Sequence, residues 1–267
     1  MANYITNILK VSGKEQVAKV KELLVDKDGK VDFNILLPQP KELDIESGCG
    51  YGYSSDGKHS TDLQKEIQLT MEQLYKDSLT QAEFVDIVLD ETVNNPYFHK
   101  SNGESFTNRE VEQTSVIAKG FYNFKKYNYT DWYDFRNEIW GTKWNAFEES
   151  VSEFLNGEKL VIVFDTAWST PYGVWEALSK KGIDFTVAYA DEDIGYNLGI
   201  LESNGKELSR LDNFNTLTLE EKQTCSLIIK YGVDEWTLEQ EMADMELQND
   251  ITVQRRIELS KELEQYI

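Results

Sequence analysis

Between Tyr4 and Val11 the apolar residues Ile5, Leu9 and Val11 are spaced for a strand. Ser12-Gly13-Lys14-Glu15 then has the form of a capping box, whose hydroxyl and carboxylate satisfy the first free backbone donors of a helix. Val17, Val20 and Leu24 give that helix one apolar face. Asp28-Gly29 predicts a turn into a second apolar run, Val31 to Leu37, stopped by Pro38 and Pro40. The opening reads β-α-β.

From about residue 60 to 142 the period becomes helical. Leu63, Ile67, Met71 and Leu74 form one stripe. Thr80-x-x-Glu83 caps a second helix that ends before Asn94-Asn95-Pro96. Thr107-x-x-Glu110 caps a third, with Val111, Ile117, Phe121 and Phe124 as its apolar members. Trp132, Phe135 and Ile139 mark a short fourth helix that Gly141 stops.

Beyond Trp144 the period is two. Val151, Phe154 and Leu155 lead into Asn156-Gly157, a hairpin signal, and Leu160 to Phe164 is apolar enough for a central strand. Thr170-Pro171 opens a helix as N-cap and first helical residue, and Gly182 closes it. Phe185 to Tyr189 is a strand, and Tyr196 to Leu201 and Glu207 to Leu211 pair around Asn204-Gly205. The order β-β-α-β-β-β predicts an antiparallel sheet with one covering helix. Thr218-x-x-Glu221 and Thr237-x-x-Gln240 open two last helices. The second carries Leu238, Met242 and Met245 on one face and is densely acidic: Asp234, Glu235, Glu239, Glu241, Asp244 and Glu246.

Charge changes the picture most. The 267 residues carry 27 Lys and Arg against 48 Asp and Glu, a net charge of −21. A field of that sign repels phosphate backbones and anionic membranes, which argues against direct nucleic-acid binding and membrane docking. Two cysteines, Cys49 and Cys225, form no CxxC pair, which excludes a disulfide scaffold and fits a reducing compartment. The two histidines, His59 and His99, have no metal-like neighbour, so neither a zinc site nor a Ser-His or Cys-His pair is expected. The start of the chain lacks a secretory signal, and no apolar run is long enough to span a membrane. Gly48-x-Gly50-x-Gly52 lacks the terminal Lys-Ser/Thr of a phosphate loop, so residues 46 to 60 read as a plain loop presenting Tyr51 and Tyr53.

Four segments together resemble phage and plasmid proteins with a YubB-type ferredoxin-like domain, the Api-like phage proteins. They are Asn7-Ile8-Leu9-Lys10-Val11-Ser12-Gly13, Phe33-Asn34-Ile35-Leu36-Leu37-Pro38-Gln39-Pro40-Lys41-Glu42-Leu43, Trp140-Gly141-Thr142-Lys143-Trp144-Asn145-Ala146 and Phe164-Asp165-Thr166-Ala167-Trp168-Ser169-Thr170-Pro171. The last two are the most specific. The resemblance implies an α+β, ferredoxin-like antiparallel sheet at residues 1–211 with a helical insertion at about 60–142. An acidic helical extension, 212–267, lies outside the usual family pattern. The resemblance also implies a mobile-element origin, and it supplies no reaction.

Two constellations remain. Asp165 ends one strand and Asp191-Glu192-Asp193 follows another, a carboxylate set that could hold a divalent metal, although acidic turns explain it better. Trp140, Trp144 and Trp168 could stack bases, but with acidic residues outnumbering Lys and Arg around them a packing role between insert and sheet is expected.

The expected protein is a phage-encoded, non-enzymatic inhibitor of a bacterial host defence system, of anti-CRISPR or anti-restriction type, in the cytoplasm of the infected host. It would bind a defence protein or ribonucleoprotein complex, with no cofactor and no metal. Asp234, Glu235, Glu239, Glu241, Asp244 and Glu246, acting as a nucleic-acid mimic, and Tyr51 and Tyr53, acting by apolar contact, are the candidate partner-binding residues. The alternatives are a divalent-metal-dependent nucleotide- or nucleic-acid-processing enzyme and an accessory DNA-handling module.

Overall fold

The structure, a computed structural model, describes residues 3–47, 62–95, 105–232 and 252–267, with backbone alone for 62–66 and 253. The chain forms two compact units, Met1–Pro38 with Arg136–Ile267, and Gln39–Phe135.

The first unit is built on six antiparallel strands: β1 (Tyr4–Ser12), β2 (Phe147–Phe154), β3 (Lys159–Ala167), β4 (Asp184–Asp191), β5 (Gly199–Asn204) and β6 (Leu208–Arg210). Their order is β2-β3-β1-β4-β5-β6. β1 takes the centre, pairing with β3 from Tyr4↔Ala167 to Ser12↔Lys159 and with β4 from Ile5↔Asp191 to Val11↔Phe185. The β2–β3 hairpin turns where the Asn-Gly pair predicts, with Asn156 and Gly157 at positive φ, but through a longer loop in which Leu155 is also at positive φ.

Strand alternation gives the sheet two buried faces. On one, Leu9, Ile162 and Val187 lie beside Phe164 and Phe185. Helices α1 (Lys14–Leu24), α2 (Phe33–Leu36) and α7 (Tyr172–Lys180) supply Val17, Val20, Leu24, Phe33, Val174, Trp175 and Leu178 to the same core. Phe164 sits 5.8 Å from both the Phe33 and Trp175 rings. On the opposite face, Ile8, Ala188, Ala190 and Ile200 pack with Cys225, Leu227 and Ile228 of α8 (Leu219–Tyr231) and with Leu259 and Leu263 of α9 (Val253–Leu263). Thr218 and Glu221 form the expected capping box at α8. Arg255 of α9 grips the same Glu221 at 2.7 Å, and that contact, with the bond from the Thr218 backbone, holds the carboxyl below its ordinary range.

Three local expectations are corrected. Ser12 is the last residue of β1, and α1 starts after Gly13 (φ 93) with no side-chain cap, so the Ser-x-x-Glu spacing is not a capping box. The run from Val31 is not a strand. Val31 makes one bridge, to Val25, and the Asp32 carboxylate then accepts the Asn34 N–H at 2.9 Å, capping the single turn of α2. Thr170 does not cap α7: Pro171 stands at its N-cap, and the threonine hydroxyl is engaged in the core.

The second unit is helical: α3 (Asp62–Leu74), α4 (Gln81–Glu91), α5 (Asn108–Tyr127) and α6 (Trp132–Phe135). Thr80–Glu83 and Thr107–Glu110 are both complete capping boxes. Ile67, Met71, Phe84, Val85, Val88, Ala118, Phe121 and Tyr122 form its core, with Phe84 and Phe121 stacked at 5.7 Å. Phe124, expected on the apolar face of α5, is 37% exposed. Tyr122 takes the buried place because its hydroxyl donates to the Leu79 carbonyl at 2.7 Å.

Candidate functional site

The two segments that read as most specific in the sequence meet at one end of the sheet. After α6 the chain makes a π-helical turn, Arg136–Trp140, and Gly141 (φ 81) swings it beneath the start of α7. Gly173 accepts that approach because it has no side chain: a Cβ there would stand 1.9 Å from the Ile139 carbonyl oxygen. Across the junction the Ser169 hydroxyl donates to the Gly141 carbonyl, and Thr142 Oγ1 donates to the Ala167 carbonyl at 2.8 Å. Trp140 is fully buried, its indole N–H on the Leu37 carbonyl at 2.9 Å and its ring 5.7 Å from Phe33. Trp140 therefore packs inside the sheet unit, against Leu37 and Phe33.

Beneath the junction runs a buried polar chain. Asn7 on β1 donates to Thr166 Oγ1 at 2.9 Å and accepts from Thr170 Oγ1 at 2.6 Å, and Thr170 in turn accepts the Trp175 indole N–H at 2.7 Å. All these side chains are shut off from solvent, so every bond is made in a low-dielectric core where an unmet partner is costly. Asn145 adds a second clamp. Its amide donates to Asp32 at 2.7 Å and its oxygen accepts the Phe33 N–H at 3.0 Å, tying α2 to the start of β2. Burial raises the Asp32 carboxyl, but the Asn145 and Asn34 donors outweigh it and leave the group below its ordinary 3.8.

This framework presents Trp168. The residue has φ 72, a left-handed backbone that an aromatic side chain rarely adopts, and its ring is 41% exposed. The strained turn is pinned by its N–H on the Asn3 carbonyl at 2.8 Å and by the Asn197 amide on its own carbonyl at 3.2 Å. Lys143 reaches over the Trp168 ring at 4.5 Å and the Trp144 ring at 5.3 Å. Trp144 continues edge-on to Phe147, and Phe147 to Tyr4, which is 37% exposed. The result is an aromatic rim around one ammonium. Trp168 is thus partly covered, with a left-handed backbone that nothing in the residue order signals.

The carboxylate set does not assemble. Asp165 pairs with Thr6, and Asp191 pairs with Ile5, so alternation sends the two side chains to opposite faces of the sheet. Asp191 is buried and spent on the loop that follows it, accepting from the Asp193 N–H at 2.9 Å, Asn197 at 3.1 Å and Asn3 at 3.4 Å. Among the described residues no three His, Cys, Asp or Glu side chains are grouped to hold a metal. No helix among them is long and apolar enough to cross a membrane. Cys225 is buried in the α8 core, and its thiol is pushed up to about 12 by burial and by the nearby Glu262 and Glu221 carboxylates.

The candidate partner-binding residues Tyr51, Tyr53, Asp234, Glu235, Glu239, Glu241, Asp244 and Glu246 lie outside the described residues, as do Cys49, His59 and His99. An acidic face that the sequence reading passed over lies on α4. Glu83, Asp86 and Asp90, at i, i+3 and i+7, are all exposed, and the helix contains no Lys or Arg.

The sheet and its junction define an α+β protein with a ferredoxin-like domain. Residues 139–223, from the π-helical turn into the first turn of α8, match the family model of the ferredoxin-like domain in Api92-like proteins. Both specific segments, Trp140 to Ala146 and Phe164 to Pro171, fall inside that match. The crystal structure of a protein api92 from Yersinia pseudotuberculosis is similar at 9% identity, over 79% of this chain and 99% of that one, with a TM-score of 0.35. No curated protein matches the chain.

Proposed function

We propose that the protein acts by binding, without catalysis, as a phage-encoded inhibitor of a bacterial host-defence complex of the anti-CRISPR or anti-restriction type. The observation that carries the binding reading is Trp168, an exposed tryptophan held in a strained turn by bonds from Asn3 and Asn197. Strain retained at an exposed aromatic favours a contact over stability, and tryptophans at interfaces are frequent anchors. The net charge of −21 supports the choice of partner. Carboxylates in such excess, those of the α4 face and the acidic residues of the sequence from Asp234 to Glu246 among them, are drawn to a basic nucleic-acid channel and speed encounter. In this account the carboxylates steer and Trp168 anchors.

The metal-dependent enzyme reading has less behind it, since Asp165 and Asp191 face opposite sides of the sheet. The test is cleavage of target DNA by purified CRISPR surveillance complexes and restriction nucleases with the protein added. Inhibition that weakens with salt supports the proposal, and unimpaired cleavage across such a panel overturns it. Reversing Glu239, Asp244 and Glu246 to Lys is expected to weaken partner affinity while the fold persists.

A further inference from the structure

β2 is the outermost strand of the sheet, and its outer edge is eight residues long. Alternate residues of a strand turn their N–H and C=O groups away from the neighbouring strand, so an edge strand offers a row of donors and acceptors to another chain. Among the described residues, no backbone group of Phe147–Phe154 is bonded except through the pairing with β3. The opposite edge of the sheet offers less, because β6 is only three residues long. A bulge at Glu148 (φ 50) shifts the β2–β3 register between Phe147 and Ser150. It bends the start of β2 and leaves Ser150 to Phe154 as the regular stretch.

That stretch runs into an anomaly. Leu155 has φ 53, a backbone that suits glycine or asparagine, and the residue is 66% exposed. Phe154 beside it is 51% exposed and shares one face of the strand with Ser150 and Ser152. Two large apolar side chains stand in water at the end of an unpaired edge, one of them on strained backbone. Strain kept at such a place favours a contact over stability. The other end of β2 is acidic. Glu148 and Glu149 have no ion pair among the described residues, and the nearest preceding lysine, Lys143, lies over the Trp144 and Trp168 rings. Glu153 differs, since Lys21 of α1 balances it at 2.5 Å.

We infer that the β2 edge is a docking site for an extended segment of a partner protein, which joins the sheet as a seventh, antiparallel strand. The segment carries an apolar residue at its N-terminal end, against Phe154 and Leu155. It carries lysine or arginine at its C-terminal end, against Glu148 and Glu149. Antiparallel pairing, the more stable of the two directions, fixes that order. A second copy of the chain fits poorly. β2 paired with itself about Val151 sets Glu149 opposite Glu153 twice, and each chain brings a net charge of −21. The site rests neither on the inhibitor reading nor on Trp168.

The experiment is backbone-amide NMR and hydrogen exchange on the full chain with an acetylated, amidated peptide that begins with leucine, alternates threonine and valine, and ends in Lys-Arg. The peptide is expected to bind at about 1 mM or tighter. It should slow the exchange of every second amide between Ser150 and Phe154 by about tenfold or more, the signature of an added strand. The same peptide ending in Glu-Glu should bind at least about fivefold more weakly at low salt. A peptide with proline at its centre should leave the β2 amides unprotected. Leu155→Asn, which suits the left-handed backbone, should weaken the peptide about fivefold while the urea midpoint stays the same or rises. Lys206→Met, in the β5–β6 turn, should leave binding unchanged. The proposal is overturned if no alternate amide of β2 gains protection or if the acidic or proline peptide binds as well as the first. It is overturned too if Leu155→Asn, folded by far-UV circular dichroism, binds like the parent. Protection of the same amides that rises with protein concentration in the absence of peptide would give the edge to a second copy and overturn the choice of occupant.

Discussion

Trp168 sets structure and function against each other at a single residue. At φ 72 the backbone asks for glycine, and a tryptophan there costs about 1 kcal/mol or more in strain. The Lys143 ammonium over its ring returns roughly 0.5–1 kcal/mol. Trp168→Gly is therefore expected to leave unfolding stability within about 1 kcal/mol of the parent while weakening the partner by about 2 kcal/mol, roughly thirtyfold. Urea denaturation and a binding isotherm check the two halves separately. Gly173 makes the opposite prediction. Gly173→Ala must displace the Ile139 carbonyl from a distance no carbon can share, so a loss of about 3 kcal/mol or more is expected in the same denaturation measurement.

At the scale of elements, the Asp32–Asn145 clamp should make α2 acid-sensitive. The folded carboxyl lies below its ordinary 3.8, so its stabilisation is present in full above that value and disappears as pH falls through the lower, folded one. Asp32→Asn should cost about 1 kcal/mol at neutral pH, a figure already reduced for solvent screening. That difference should shrink as pH falls through the lowered value of the folded carboxyl, which thermal melts of parent and variant across pH would read. An unchanged difference at low pH would contradict the assignment. The clamp also explains what the sequence could and could not tell. Elements with a local signal were legible: the Thr80, Thr107 and Thr218 capping boxes, the Asn156-Gly157 hairpin and the apolar Leu160–Phe164 strand all form as their chemistry dictates. The run from Val31 was misread because the group that decides it, the Asp32 carboxylate, is set by Asn145, more than a hundred residues away. Ser12 was misread because β1 runs on through it to pair with Lys159. The candidate site was legible as two sequence motifs, whereas their meeting through Gly141, Ser169 and Gly173, and the outward turn of Trp168, depend on tertiary contacts.

For the whole molecule, the net charge of −21 makes a claim about rates and partners rather than about the fold. Gel-shift titration with single- and double-stranded DNA at low salt is expected to show no complex, and a retarded band would overturn the steering account. The most direct measurement of the central claim is capture by immobilised protein from a bacterial lysate. It compares the parent with Trp168→Gly at about 0.01 M and 0.15 M salt, where the screening length shortens from about 30 to 8 Å. Bound proteins are identified by mass spectrometry. The account predicts a nucleic-acid-binding defence complex retained by the parent, reduced by salt and reduced again by the substitution. Failure to retain any defence component, or equal retention by parent and variant at both salts, would contradict it.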